Sequence, residues 1–339
     1  MGKTIRWGIL ALSNISRKFT ADLALVPDAE VLAVGSRSLE RAQAYAAELD
    51  IPRAYGSYEE LVADPDIDVV YISSPHTQHY KHALLALQSG KAALVEKPFA
   101  MNADQAQHMV EVAKENSVFL MEALWSRTHP ASIEMTRRIR EGQIGDVRVV
   151  NAYLAPIGSF PDRRSQQPEL GGGILLECGV YPLSIAYQVL ADLGEPAEVR
   201  AWGHLDDRGI DQATSMVLQY ASGPTAVLAS SFVMGMSHGH PAHAYISGTT
   251  GWVDVPRQIH WMNEFTIYRA GHDPEKVTFE PVGNGYSEEA AEVVRCLQAG
   301  KLESDLVPLV GTLITMRILD RIRREIGLVY APDIEAVAR

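Results

Sequence analysis

Over its first ~120 residues the chain alternates short apolar runs with amphipathic stretches, a rhythm that few folds accommodate. Thr4 to Leu10 reads as a strand, Ile15 to Leu25 as an amphipathic helix and Pro27-Asp28 as a turn. Val31 to Val34, Val69 to Ile72, Ala93 to Val95 and Val118 to Met121 continue the strand series. Leu39 to Leu49, His79 to Gln88 and Asn102 to Glu115 supply helices between them, with Gly90 as a C-terminal cap and Asn102 as an N-cap. Strands buried on both faces and separated by helices form a parallel sheet. Residues 1–124 are therefore expected to fold as a doubly wound α/β Rossmann domain.

After Trp125 the pattern changes. A helix at Pro130 to Glu141 leads into strands near Val147 to Ala155, Val199 to His204, Ser215 to Tyr220, Thr225 to Phe232, His243 to Ser247 and Gly251 to Val255. Ala221 to Pro224 and Gly248 to Gly251 read as hairpin turns. Helices are expected at Pro182 to Leu190, Ser287 to Gln298 and Leu306 to Ile326. Residues 125–339 are thus expected to form an α+β domain on a mostly antiparallel open sheet, and 339 residues suit two domains with a core each.

Composition excludes several classes of function. A net charge of −12 argues against a nucleic-acid or anionic-membrane surface, which needs a basic patch. Cys178 and Cys296 form no CxxC or metal pattern and fit reduced thiols. No signal-peptide pattern opens the chain, and no apolar stretch reads as the ~20 residues of a membrane span. A cytoplasmic location is expected.

In open α/β sheets ligands sit at the carboxyl ends of the strands. The first such end reads Gly8-Ile9-Leu10-Ala11-Leu12-Ser13-Asn14-Ile15-Ser16, with Ala11, Ser13 and Ser16 in the glycine positions of a dinucleotide turn. Small residues still permit close approach, and Ser13, Asn14 and Ile15 lead into a helix N-terminus suited to a pyrophosphate; a positive φ at Ala11 would be strained. The second strand ends Gly35-Ser36-Arg37-Ser38, without the acidic residue that holds the ribose of NAD. Ser36, Arg37 and Arg41 instead suit a 2′-phosphate, which favours NADP(H) over NAD(H). Ser74, Pro75, His76 and His79 lie where a nicotinamide ribose would pass, and Glu96-Lys97-Pro98 closes the next strand, its proline able to take a cis bond that aims Lys97 inward. Neither the His76, His79, His82 set nor the His238, His240, His243 set has a convincing metal-ligand pattern, so no metal is expected.

Taken together, the turn, Ser74-Pro75-His76-Thr77-Gln78-His79, Glu96-Lys97-Pro98 and Gly171-Gly172-Gly173-Ile174-Leu175-Leu176-Glu177-Cys178-Gly179-Val180-Tyr181-Pro182 resemble the Gfo/Idh/MocA oxidoreductases, named after glucose-fructose oxidoreductase and inositol dehydrogenase. Ala54 to Leu61 and Phe119 to Arg127 are similar to the branch of dimeric dihydrodiol dehydrogenases and NADP-dependent D-xylose dehydrogenases. The resemblance covers nearly the whole chain. It implies hydride transfer between nicotinamide and a secondary alcohol, hemiacetal or carbonyl of a sugar, cyclic polyol or diol, and a homodimer or higher homo-oligomer assembled through the second domain.

The family's Asp-x-Gly-x-His/Tyr pattern is carried by Glu177, Gly179 and Tyr181. Oxidising an alcohol needs a base for the hydroxyl proton, and a tyrosine of pKa ~10 serves only where a cation stabilises its phenolate. The resemblance gives Tyr181 that role and Lys97 that of the cation. Glu177 stands where the family has aspartate, so the substrate gripped is in question more than the reaction. Trp125 matches an active-site tryptophan of the dihydrodiol branch, and Arg164 is a further substrate-side candidate. The family also holds non-catalytic dinucleotide-binding regulators and NAD-dependent glycosidases, which remain alternatives.

Overall fold

A computed structural model of the chain describes residues 2–155, 164–232 and 242–330. They divide into two compact units, residues 1–128 with 281–313, and residues 129–280 with 314–339. The division thus differs from a single cut between 124 and 125, because a late segment returns to the first unit. There the Leu120 N–H donates to the Leu302 carbonyl at 3.1 Å, and the Thr312 hydroxyl donates to Glu122 at 2.8 Å.

The first unit is built on six parallel strands, β1 (Ile5–Leu10), β2 (Ala29–Gly35), β3 (Arg53–Tyr55), β4 (Val69–Ile72), β5 (Ala92–Glu96) and β6 (Leu120–Ala123), in the order β3-β2-β1-β4-β5-β6. That order reverses direction between β1 and β4, the switch point at which such sheets bind ligands. Strand β4, an unbroken apolar run, is buried along its whole length, and so are β5 and β6, Glu96 and Glu122 included. Helices α1 (Asn14–Leu23), α2 (Leu39–Glu48), α3 (Tyr58–Ala63), α4 (His79–Gln88) and α5 (Ala103–Glu115) follow successive strands. Their starts are set by local chemistry: Ser13, Ser38, Ser57 and Asn102 each cap the backbone N–H three residues on. Ser13 with Ser16 and Ser57 with Glu60 close reciprocal capping boxes.

Among its described residues the second unit carries eight strands, β7 (Val147–Leu154), β8 (Glu198–Leu205), β9 (Asp211–Gln219), β10 (Thr225–Ser231), β11 (Ala242–Gly248), β12 (Gly251–Pro256), β13 (Glu264–Arg269) and β14 (Glu275–Thr278), in the order β14-β13-β12-β11-β7-β10-β9-β8. All neighbours are antiparallel except β7 and β10. One face, with Val150, Ala152, Leu154, Leu228, Ala244 and Ile246 buried, lies under helices α6 (Pro130–Arg140) and α7 (Val180–Leu190). The other face holds exposed apolar side chains: Trp202 is 66% exposed, Val227 44% and Tyr153 38%. On it the Trp252 and Tyr268 rings stack at 3.8 Å.

Contrary to the expectation from sequence, the helical run Pro168–Leu193 is long and apolar enough to cross a membrane by length and composition. Its most apolar window is 83% buried inside the protein, as befits a core helix.

Candidate active site

At the end of β1 the chain turns through Ala11 with φ +76°, in the left-handed region that alanine disfavours. Its N–H donates to the Gly35 carbonyl at 3.2 Å, and its own carbonyl accepts from the Ser73 hydroxyl at 3.2 Å. Ser13 Oγ accepts the Ser16 N–H at 3.0 Å, while the Ser13 N–H donates to Ser16 Oγ at 2.9 Å. Asn14 and Ile15 open α1, a helix of ten residues, at the carboxyl edge of the sheet. Ser74, just past β4, is buried, and its hydroxyl has no hydrogen-bond partner among the described residues. An unsatisfied buried hydroxyl beside a helix N-terminus and a tight turn fits a dinucleotide.

At the end of β2, Ser36 is buried and Arg37 and Arg41 are exposed. Both guanidiniums lie close enough to the Tyr58 phenol to oppose the rise in its pKa that burial causes. Tyr58, brought in by α3, joins this cluster without having been singled out in the sequence. It also meets the His82 ring edge-on at 4.7 Å, and burial lowers His82 to a pKa of about 4.

The loops after β4 and β5 are tied together. His79, expected to face the cofactor, is wholly buried, with Nδ1 2.8 Å from the Pro98 carbonyl and Nε2 2.8 Å from the Ser74 carbonyl. Its ring therefore ties the two loops together. Pro75 starts the same loop, and buried His76 lies 5.7 Å from His79, ring to ring. The Glu96 carboxylate is likewise turned inward, accepting from the Tyr71 hydroxyl at 2.5 Å and the Lys97 N–H at 3.2 Å. Lys97 follows, buried, and its bond to Pro98 is cis. Trp125 lies past β6, 8% exposed, stacked on Tyr286 at 4.7 Å with the planes 12° apart.

The second unit holds the remaining candidates. Glu177 lies in a wide helical turn, Leu175–Gly179, that runs directly into α7, and Tyr181 is the second residue of that helix. Arg164 donates to Glu177 at 2.8 Å, so the two substrate-side candidates form an ion pair, with Glu177 8% exposed at its side chain and Arg164 30%. The turn starts against Asp211 of β9. This wholly buried carboxylate accepts the Leu175 N–H at 2.7 Å, and burial lifts its pKa to about 7. Gly173, φ +131°, is needed there because a Cβ would lie 1.9 Å from Asp211 Oδ1. His260 stands beside Tyr181 with ring centroids 5.5 Å apart, and His129, lowered to about 4 chiefly by burial and further by His260, completes the polar groups on this side. Sequence reading found neither histidine nor Asp211.

His238 and His240 lie outside the described residues, while His243 pairs with Asp254 at 2.6 Å across β11 and β12. Among the described residues no group of three His, Cys, Asp or Glu is arranged to hold a metal.

A parallel sheet in this strand order, with a capped turn at its switch point and a buried lysine ending β5, defines a nucleotide-binding domain of the dehydrogenase kind. Residues 5–124 match the oxidoreductase family with an NAD-binding Rossmann fold, residues 133–254 match the GFO/IDH/MocA C-terminal domain, and the chain belongs to the Gfo/Idh/MocA oxidoreductase family. Trans-1,2-dihydrobenzene-1,2-diol dehydrogenase of Xenopus tropicalis is 36% identical over 335 residues, 96% of this chain and 99% of that protein. The 3-ketoreductase KijD10 of Actinomadura kijaniata, solved with NADP and TDP-benzene, is 26% identical with a TM-score of 0.79, covering 96% of this chain and 98% of its own. A levoglucosan dehydrogenase solved with NADH and levoglucosan shares the fold, with a TM-score of 0.86 at 17% identity over 95% of this chain and 97% of its own. The resemblance to the dihydrodiol branch is thereby borne out, and the chain is an NAD(P)-dependent oxidoreductase.

Proposed function

We propose that the protein transfers hydride between NADP(H) and a secondary alcohol or hemiacetal of a sugar, cyclic polyol or diol, or the matching carbonyl. The observation that carries this reading is that the two residues to which the family resemblance gives the proton chemistry, Lys97 and Tyr181, are both present and buried. Lys97 is buried at the carboxyl end of β5, and Tyr181 follows the Arg164–Glu177 pair on the second unit. The nicotinamide, when bound, accepts or supplies the hydride. Tyr181 takes the hydroxyl proton as its phenolate or returns it as the phenol, and the Lys97 ammonium keeps the phenolate accessible. The Glu177 carboxylate accepts from a neighbouring substrate hydroxyl, with Arg164 holding its orientation, and Trp125 offers an aromatic face to the ring. Arg37 and Arg41 with Tyr58 select the 2′-phosphate, since a guanidinium pair suits a phosphate dianion and no carboxylate ends β2.

The exposed apolar face of the second sheet is proposed to pair with another copy of the chain. A cytoplasmic setting suits Cys178 and Cys296, which form no disulfide. A panel of pentoses, hexoses, inositols and diols with NADP⁺, followed by nicotinamide absorbance, tests the function. Reduction with at least one member is expected, and silence across the panel in both directions refutes an enzymatic role of this class.

A further inference from the structure

The segment that returns to the first unit after residue 280 is fastened to α1 with unusual density. Asp22, 1% exposed, accepts the Asn284 N–H at 2.8 Å, the Asn284 side-chain amide at 2.8 Å and the Tyr286 N–H at 2.9 Å. Gly283 permits this wrap: its φ is +56°, and a Cβ would lie 2.5 Å from Asp22 Oδ1. Three backbone and side-chain donors on one buried carboxylate fix the Tyr286 backbone relative to α1. The Tyr286 ring then lies flat against Trp125. Phe19, one turn before Asp22, meets Tyr286 edge-on at 6.5 Å and stacks on Tyr71 at 3.8 Å, and Tyr71 donates to Glu96 beside Lys97.

We infer that Tyr286 is a positioning residue for substrate choice: it fixes the plane of the Trp125 indole, and Asp22 fixes Tyr286. The inference rests on the reading of Trp125 as a wall of the substrate pocket. An indole on a short turn after β6 can pivot about two side-chain torsions, and a flat neighbour at stacking distance removes most of that freedom. The wall that results is rigid, and a rigid aromatic wall discriminates between a planar diene diol and a puckered sugar by fit. The anchor sits on the helix that begins at the dinucleotide turn, so the substrate wall is registered to the element that receives the cofactor.

Two measurements test this. In the first, kcat/KM is determined with NADP⁺ for trans-1,2-dihydrobenzene-1,2-diol and for D-xylose. Tyr286→Leu is expected to change the ratio of the two values by ~10-fold or more, the scale of a reshaped pocket wall, mostly through substrate KM, with the KM for NADP⁺ within twofold. Tyr286→Phe, which keeps the stack, restores the ratio to within twofold, and Tyr286→Met serves if the leucine variant does not fold. An unchanged ratio in Tyr286→Leu beside a changed one in Trp125→Leu overturns the inference and leaves the pocket reading intact. An unchanged ratio in Trp125→Leu overturns the pocket reading and the inference with it. The second measurement needs no turnover: the Trp125 contribution to fluorescence, obtained by subtracting the Trp125→Phe spectrum, is expected to shift to the red in Tyr286→Leu and to hold in Tyr286→Phe. A Trp125 contribution indifferent to Tyr286→Leu overturns the stack.

Discussion

Replacing Asp211 by asparagine should stabilise the protein progressively as the pH rises. The carboxyl group is wholly buried on β9, where it accepts the Leu175 N–H at 2.7 Å, and burial holds its pKa at about 7. In the unfolded chain an aspartate titrates near ~3.9. Between those two values the folded state keeps a proton that the unfolded state has released. Stability contributed by this group is therefore greatest at low pH, falls by ~1.4 kcal/mol per pH unit on the way up, and levels off above the folded pKa. The full cost at pH 8 is ~4 kcal/mol, of which ~1 kcal/mol is already present at pH 4.5. Asparagine carries no such titration, so its stability relative to the parent should improve by ~3 kcal/mol between pH 4.5 and pH 8. Turning an amide N–H₂ toward backbone donors has a penalty of its own. That penalty does not depend on pH and drops out of the comparison. For a unit of this size the gap in melting temperature should widen by ~6–12 °C in the variant's favour across that range, read by calorimetry of both proteins in matched buffers. A gap that stays constant or narrows with rising pH would refute the argument. Asp211→Ala should follow the same pH trend from a lower baseline, because it also leaves the buried Leu175 N–H without an acceptor, at ~1–3 kcal/mol.

Arg37→Ala should remove most of the preference for NADP(H) while leaving NAD(H) affinity nearly unchanged, as titration of cofactor binding would reveal; equal affinity for both cofactors in the parent would contradict the role given to Arg37 and Arg41. Tyr181→Phe should lower kcat by ~10²-fold or more with cofactor binding intact, the usual scale for a lost general acid/base. Near-normal turnover of that variant from pH 6 to 10 would reassign the proton transfer to Lys97. Glu177→Asp withdraws the carboxylate from Arg164, now 2.8 Å away, and should alter the ratio of kcat/KM between two sugars rather than abolish turnover. A uniform loss across substrates would mean that Glu177 only orients its neighbours.

The Rossmann half was legible because its signals are local. An unbroken apolar run such as Val69–Ile72 between turn residues reads as a strand buried on both faces, and Asn102 marks a helix start through a bond that spans three residues. Several features escaped the sequence, the interior strand Glu264–Arg269 among them. Edge strands such as Arg53–Tyr55 and Glu275–Thr278 are short and only half-buried at most, so they carry no apolar run to read. Long-range pairings leave no trace in spacing: Asp22 and Asn284 are 262 residues apart, and nothing in Gly283-Asn284-Gly285-Tyr286 announces that it closes on α1. The parallel pairing of β7 with β10 inside an otherwise antiparallel sheet is equally non-local. The residues that sequence reading placed at strand ends do lie there, yet His79 and Glu96 have side chains turned inward to brace the loops, a distinction of orientation that a strand-end argument does not contain.

The dinucleotide turn shows what its usual glycines are for. Ala11 occupies the left-handed region at φ +76°, where a side chain costs ~1–2 kcal/mol relative to glycine. The surroundings offset that cost. The Ala11 N–H and carbonyl are both bonded, to Gly35 and Ser73, and the reciprocal Ser13–Ser16 cap contributes ~1 kcal/mol of its own. Serine at 16 is wholly buried and also meets the Tyr45 hydroxyl at 3.1 Å, which ties α1 to α2 at the position where a third glycine would only have made room. The path of the backbone is thus kept while its residues are changed, and it is the path, with N–H groups at the head of α1, that a pyrophosphate meets. A chain can lose the glycine signature and keep the site, provided hydrogen bonds hold the conformation that glycine would have adopted freely.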